Sequence, residues 1–336
     1  MKKFSIFITV ILVISLLAAC GGQAAPVQTS APTEAVTPEP TAEPVTPRIG
    51  ALTGPTAMGM AKLFGDASGD YECTLAGSAD ELTPLILQGE LDIAAVPMNL
   101  ASVLYNKTEG GVRLLAVNVL GVLYIGEYGS EEINSVLDLK GRTIYATGKG
   151  SVPEYFLRYV LAENGIDMDT DLTVEWKSEP AEVVALLNAD GSGVAMLPQP
   201  YATAAAMQLG DGFRLALSLS DEWAALDNGS LCTTAGIIVR SEFADAHPEA
   251  VEKFLADYAA SAEWVNANTD EAAALCEELG IVKAAVARIA LPKCNIVCVT
   301  GADMKSAAGG CLGVLYGYAP ASVGGALPGD DFYYGA

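Results

Sequence analysis

Short apolar runs that end in Gly, Ser, Pro or Asn, each followed by a stretch of helical period, recur along this chain, and that order restricts the fold most. Residues 49–52 run into Thr53-Gly54-Pro55-Thr56 and a helix through Lys62. Residues 71–76 run into Gly77-Ser78, and residues 91–96 end at Pro97-Met98-Asn99 before a helix to Tyr105. Repeated strand–loop–helix units predict a mainly parallel sheet covered by helices. After a strand-rich stretch over 113–127 the pattern restarts near 137–142, with 143–146 as strand, 147–151 as loop and 152–164 as helix. Residues 172–176, 194–197 and 213–217 supply further strands, so the spacing predicts two α/β units. Beyond a strand at 234–239, residues 248–266 and 269–279 read as Ala-rich amphipathic helices. These are too few for a third core, so the C-terminal segment is expected to return to the first unit.

The chain has 336 residues, 51% hydrophobic and 18% charged, a balance that buries enough apolar surface to offset chain entropy. Eighteen Lys and Arg face 41 Asp and Glu, for a formal net charge of -23. Such a field repels phosphate backbones, so nucleic-acid partners are excluded. The single histidine, His247, rules out multi-His zinc sites, and any Ser-His-Asp triad would have to use it. It precedes Pro248 at a helix start and reads as exposed.

At the N-terminus Lys2 and Lys3 precede an apolar run over 4–19 that stops at Cys20-Gly21-Gly22. As a helix the run spans roughly 24 Å, short of the ~30 Å hydrocarbon core, so residues 1–19 read as a secretion signal rather than a permanent span. Residues 20–47 then form a tether rich in Pro, Thr and Ala, without an aromatic residue and unable to form a core. Leu17-Ala18-Ala19-Cys20 resembles the lipobox of bacterial lipoproteins. That resemblance implies lipidation of Cys20 and a location on the outer face of the cell membrane, where two acyl chains on one residue anchor a protein stably.

Further motifs follow the lipobox in a telling order: Thr53-Gly54-Pro55, Val96-Pro97-Met98-Asn99, Asp138-Leu139-Lys140-Gly141-Arg142-Thr143-Ile144, then Arg240-Ser241-Glu242-Phe243 and Pro248-Glu249-Ala250-Val251. Together they resemble solute-binding lipoproteins of ABC importers, in the nitrate, sulfonate and thiamine-precursor class with the periplasmic-binding-protein type II fold. The similarity runs from Met1 to the Phe332-Tyr333-Tyr334 tail. It implies two lobes, each a mixed, mainly parallel sheet flanked by helices, joined by two hinge crossovers. Lobe I would comprise 48–120 plus 241–336 and lobe II 121–240, with hinges near 122–127 and 235–240. A small-molecule solute would bind between the lobes of a monomer and pass to ABC permease subunits, without cofactor, metal or covalent chemistry. Two rival readings use the same sequence: an enzyme on this scaffold, a synthase or lyase with Glu154 as acid or base, and a surface adhesion lipoprotein.

Ligands of open α/β sheets sit outside the carboxyl ends of the strands, which nominates residues there. Thr53, Gly54 and Thr56 open one helix; Thr147, Gly148, Lys149 and Ser151 open another, where Lys149 offers a positive charge. The second loop departs from a phosphate-binding Walker A motif, having Thr143 and Gly150 where Gly and Ser or Thr are needed. Asn99 and Gln199 follow strand ends and carry both donor and acceptor. Tyr155 and Trp223 offer stacking surfaces, and Asn118 and Thr234 lie near the expected crossovers. Cys294 and Cys298, read as one strand, would sit about 13 Å apart, too far for a mutual disulfide or a shared zinc. Cys73, Cys232, Cys276 and Cys311 lie among apolar neighbours and read as buried thiols. Asp167, Asp169 and Asp171 open like a calcium loop, but Leu172 and Ser178 stand where Gly and Glu are required.

Overall fold

The structure is a computed structural model that describes residues 45–65 and 69–336. The signal segment, Cys20 and nearly all of the tether lie outside the described residues. In chain order the elements are β1 (Arg48–Leu52), α1 (Pro55–Gly59), α2 (Ala61–Gly65), β2 (Glu72–Ala76), α3 (Ala79–Leu87), β3 (Ile93–Pro97), α4 (Met98–Lys107) and β4 (Val112–Leu120). Then come β5 (Leu123–Tyr128), β6 (Thr143–Thr147), α5 (Val152–Glu163), β7 (Thr173–Lys177), α6 (Pro180–Asp190), β8 (Gly193–Pro198), α7 (Tyr201–Leu209), β9 (Phe213–Ser218) and α8 (Leu219–Ala225). The chain closes with β10 (Thr233–Arg240), α9 (Ser241–Ala246), α10 (Pro248–Ala267), α11 (Thr269–Glu278), α12 (Ala284–Ala290), β11 (Ile296–Val299) and α13 (Gly301–Tyr318).

Two sheets result: six strands in the order β11-β4-β10-β3-β1-β2, and five in the order β7-β6-β8-β5-β9. β1 pairs in parallel with β2 and β3, while β10 runs antiparallel between β3 and β4. β6 pairs in parallel with β7 and β8, and β5 runs antiparallel between β8 and β9. The directions decide the architecture. β4 leaves the first sheet at the carboxyl edge of its parallel strands, and after Gly121 and Val122 the chain enters β5 beside Pro198, the carboxyl end of β8. The return starts from the same edge of the second sheet, at Ser218, and enters the first at Thr233 beside the end of β4. Both passages therefore join carboxyl edge to carboxyl edge, and the two strand-end mouths face each other.

The stretch read as one strand-rich segment, 113–127, is thus two strands of different sheets. Both hinges, expected near 122–127 and 235–240, are also corrected, for β5 lies between β8 and β9 from residue 123 on and the first passage is only 121–122. β10 is an interior strand, hydrogen-bonded along that length to β3 and β4, so it belongs to the six-stranded sheet rather than to a crossover. The chain instead passes between the sheets over 226–232. A further correction concerns Cys294, which caps a short 3-10 turn (Leu291–Lys293) ahead of β11 rather than sharing a strand with Cys298. All six described cysteines are free thiols, Cys73 exposed and Cys298 partly so. His247 is half-buried, its ring 5.0 Å from that of Phe243.

The C-terminal segment does return to the first sheet: β11 pairs with β4, and the Tyr334 N–H donates to the Leu114 carbonyl at 2.9 Å. α10 begins at Pro248, where the missing N–H costs nothing, and turns Val251, Phe254, Tyr258, Ala262 and Val265 inward at helical spacing. α13 lies against β4 and β10 of the first sheet and also against α5 of the second unit. One apolar cluster runs through Met304, Ala308, Cys311, Leu312 and Leu315 of α13 to Phe156, Val160 and Trp223. Each such large side chain, fully buried, contributes about 1.5–3 kcal/mol.

Two buried carboxylates pin the sheets away from the strand-end mouths. Asp92, 4% exposed, accepts from the Arg48 guanidinium at 2.6 and 2.9 Å, the Arg48 N–H at 3.0 Å and Arg240 at 3.2 Å. Glu127, fully buried, accepts from Ser130, from the Glu132 and Ile133 N–H groups and from Arg214. Burial alone would raise both acids, but these donors outweigh it and hold each below the ordinary carboxylate range. The folded values are therefore depressed, so the stabilisation is complete above the unfolded values near 4 and is lost as pH falls through the folded ones. Urea midpoints measured from pH 7 to 3 are expected to drop steeply below about pH 4.5, and Glu127→Gln is expected to flatten that drop. An unchanged profile in the variant would remove Glu127 from this account.

Candidate functional site

Between the facing edges lies a cavity of about 380 Å³. From the first sheet it is walled by Ala79 at the start of α3, Pro97 at the end of β3, Asn99 and Leu100 in the first turn of α4, and Thr234 at the start of β10. The second sheet supplies Ser151, Val152 and Pro153 at the start of α5, and Pro198 at the end of β8. Val122 and Leu123, at the first passage, close the gap between the walls. Three helix N-termini thus meet one hollow, because β2, β3 and β6 each deliver a helix at their carboxyl end. A second hollow, of about 430 Å³, lies between Arg158, the 165–168 turn and Tyr318, where no strand ends.

Asn99, Ser151 and Thr234, nominated from sequence, are brought together in this cavity. Asn99 Nδ2 donates to the Ser322 carbonyl at 3.3 Å and Ser151 Oγ to the Gly148 carbonyl at 2.7 Å, while Thr234 Oγ1 is buried without a partner. The other nominated residues do not line it. Thr53 is exposed, Gly54 holds a positive φ of 120° ahead of the five-residue α1, and Thr56 Oγ1 donates to the Leu52 carbonyl at 2.6 Å. Thr147 is buried at the end of β6, Gly148 packs on Pro153, and Lys149 is exposed. Tyr155 is half-buried against the apolar cluster. Trp223, 1% exposed, donates from Nε1 to Ser230 Oγ at 3.0 Å, with its ring 4.5 Å from Tyr159 and 5.2 Å from Phe156. Its faces are taken up by core packing, so the geometry offers no stacking platform there.

Among the described residues, five of the seven buried side-chain polar atoms without a partner lie around these edges, both amide atoms of Asn118, Gln199 Nε2, Thr233 Oγ1 and Thr234 Oγ1; the other two are Ser322 Oγ and Arg240 Nε, the latter at the opposite edge. Gln199 is 2% exposed, and its Oε1 accepts from Thr203 at 2.8 Å. Unmade hydrogen bonds of this kind cost about 1–3 kcal/mol each, so their concentration marks where polar partners are to be met. The apolar walls, Ala79, Pro97, Leu100, Val122, Leu123, Val152, Pro153 and Pro198, escape a search for polar residues. Their only sequence signal is position beside a strand end.

Residues 71–280 match the model of the NMT1-like family. The chain belongs to that family. No curated protein matches its sequence. Among solved structures, this NMT1-like protein is similar to an ABC transporter from Parabacteroides distasonis, at 22% identity and a TM-score of 0.73, over 86% of this chain and 98% of the other. It is also similar to the periplasmic aliphatic sulphonate binding protein SsuA from Escherichia coli, at 17% identity and a TM-score of 0.65, over 81% and 86%. A third similar structure is the ligand-binding component of an ABC-type import system from Staphylococcus aureus with zinc bound, at 17% identity and a TM-score of 0.62, over 85% and 95%. These likenesses establish the fold as the two-lobed periplasmic-binding-protein type II architecture.

Proposed function

We propose that this NMT1-like protein is the extracytoplasmic solute-binding receptor of an ABC importer, holding a small molecule between its lobes and delivering it to the permease. The observation that carries this reading is the cavity of about 380 Å³ walled from both sheets at their facing carboxyl edges. A solute that touches both walls stabilises the closed arrangement by its differential affinity for it, which is what a delivery signal requires. One chain supplies both walls, so the receptor acts as a monomer. The lipobox cysteine, Cys20, tethers it to the outer face of the membrane. Its structural neighbours, a sulphonate-binding protein and the ligand-binding component of an importer, support the role.

Binding alone suffices at this site. Glu154, the best acid or base for an enzymatic reading, is already committed: it accepts from the Gly150 N–H at 2.7 Å and pairs with Arg158 at 3.4 Å. Burial pushes the Cys311 thiol up to about 11 and Cys294 up to about 12, which makes both poor nucleophiles. The test is a calorimetric screen of the full chain in detergent against small nutrients. A solute at 100 times its Kd is expected to add about 2.7 kcal/mol, several degrees in Tm, and to be recovered chemically unchanged. Recovery of a converted product would overturn the receptor reading.

A further inference from the structure

The cavity that serves the receptor reading has an unusual charge pattern. None of the described residues lining it is charged: its walls are Ala, Pro, Leu and Val, with Asn99, Ser151 and Thr234 as polar members. An anion in such a hollow would have to rely on the three helix N-termini that face it. Two of them already carry carboxylates. In α3, Asp80 and Glu81 occupy the first turn, and Glu81 accepts from the Gly77 N–H at 3.1 Å and from Ser78 Oγ at 3.2 Å. In α5, Glu154 occupies the first turn and accepts from the Gly150 N–H. These acids take up the loop donors that an anionic guest would seek and offset the partial positive charge of the N-termini, Glu154 while also paired with Arg158 at 3.4 Å, within a chain whose net charge is -23. Only α4 has a first turn without an acid. Lys149, the cation closest in sequence to Ser151, is exposed and outside the lining. A cation fares no better, since no carboxylate lines the hollow to pair with it and its desolvation would go uncompensated.

We infer that the solute is uncharged: a small molecule with a mainly apolar body and a hydrogen-bonding end that lies beside Asn99 in the first turn of α4, rather than a sulfonate, carboxylate or nitrate. The inference rests on the receptor reading and narrows it. The polar lining residues, Asn99, Ser151 and Thr234, are neutral and carry both donors and acceptors, which suits an amide, alcohol or heterocyclic nitrogen. The apolar walls gain free energy from a hydrocarbon or aromatic body at about 25 cal/mol per Å² removed from water.

The test uses probe pairs of matched shape that differ in charge: p-toluenesulfonamide with p-toluenesulfonate, nicotinamide with nicotinate, benzyl alcohol with benzylammonium. Each is titrated at pH 7 into the full chain in detergent, with Tm as readout. The neutral members are expected to raise Tm by about 2 °C or more, and their charged partners by less than about a quarter of that. Equal or larger shifts from the anions would overturn the inference and leave the receptor reading standing. No shift from any neutral probe would overturn the inference too, while the receptor reading stands or falls on the nutrient screen. Glu154→Gln keeps an acceptor for the Gly150 N–H while removing the charge, so it is expected to raise affinity for the anionic probes about two- to fivefold relative to the neutral ones. An unchanged ratio would overturn the electrostatic argument.

Discussion

Asp92→Ala is expected to destabilise the protein by about 1–3 kcal/mol, less than for a fully buried ion pair because the Arg48 and Arg240 side chains left behind are 37% and 24% exposed to water. Asp92 joins three strands at their edge remote from the cavity: its carboxylate holds Arg48 of β1 and Arg240 of β10, and its own N–H donates to the Arg48 carbonyl at 2.9 Å. Truncation removes the anion shared by the two guanidiniums, leaving Arg240 with only the exposed Glu242 at 3.4 Å and Arg48 without its carboxylate partner. Urea unfolding of wild type and variant measures the loss. Because the ion cluster and the cavity lie at opposite edges of the same sheet, solute affinity of the folded fraction is expected to stay unchanged. A loss below about 1 kcal/mol would show that the cluster is worth no more than a surface pair.

Ala79→Trp is expected to weaken solute binding about a hundredfold while leaving the fold intact. Ala79 is half-buried, opens α3 and forms part of the cavity wall. An indole there occupies space that the solute needs, and overpacking of 2–3 kcal/mol corresponds to roughly two decades in Kd. Leu87→Trp, at the exposed far end of the same helix, is the matched control, with affinity expected to be that of wild type. Titration calorimetry with the solute found by the screen compares the two. Equal affinity in both variants would mean that the solute binds elsewhere.

The two-sheet architecture was legible because its signals are local and periodic: apolar runs closed by turn residues, and helices opened by Pro or Ser beside acids, as at Ser151 to Glu154. Strand partners were less accessible. That β10 sits between β3 and β4 depends on pairing across more than a hundred residues, which no local pattern in 233–240 reveals. The site was legible in part for a related reason. Strand-end polar residues such as Asn99, Ser151 and Thr234 stand out in a sequence, whereas Leu100, Val122 and Val152 look like any core residue until the opposing wall is seen. Trp223 shows the converse error: an aromatic beside a crossover invites a stacking role, yet Phe156, Tyr159 and Ser230 already use its faces and its N–H.

α13 touches both halves of the molecule, with β4 and β10 on one side and α5 on the other, and Gly310 comes so near Ser230 that an added Cβ would stand 2.3 Å from the serine Cβ. A helix seated this tightly beside the 226–232 passage leaves the halves little room to twist or slide sideways. The helix therefore ties the two halves together along that seam, and a side chain larger than hydrogen at position 310 would have to push the 226–232 passage aside.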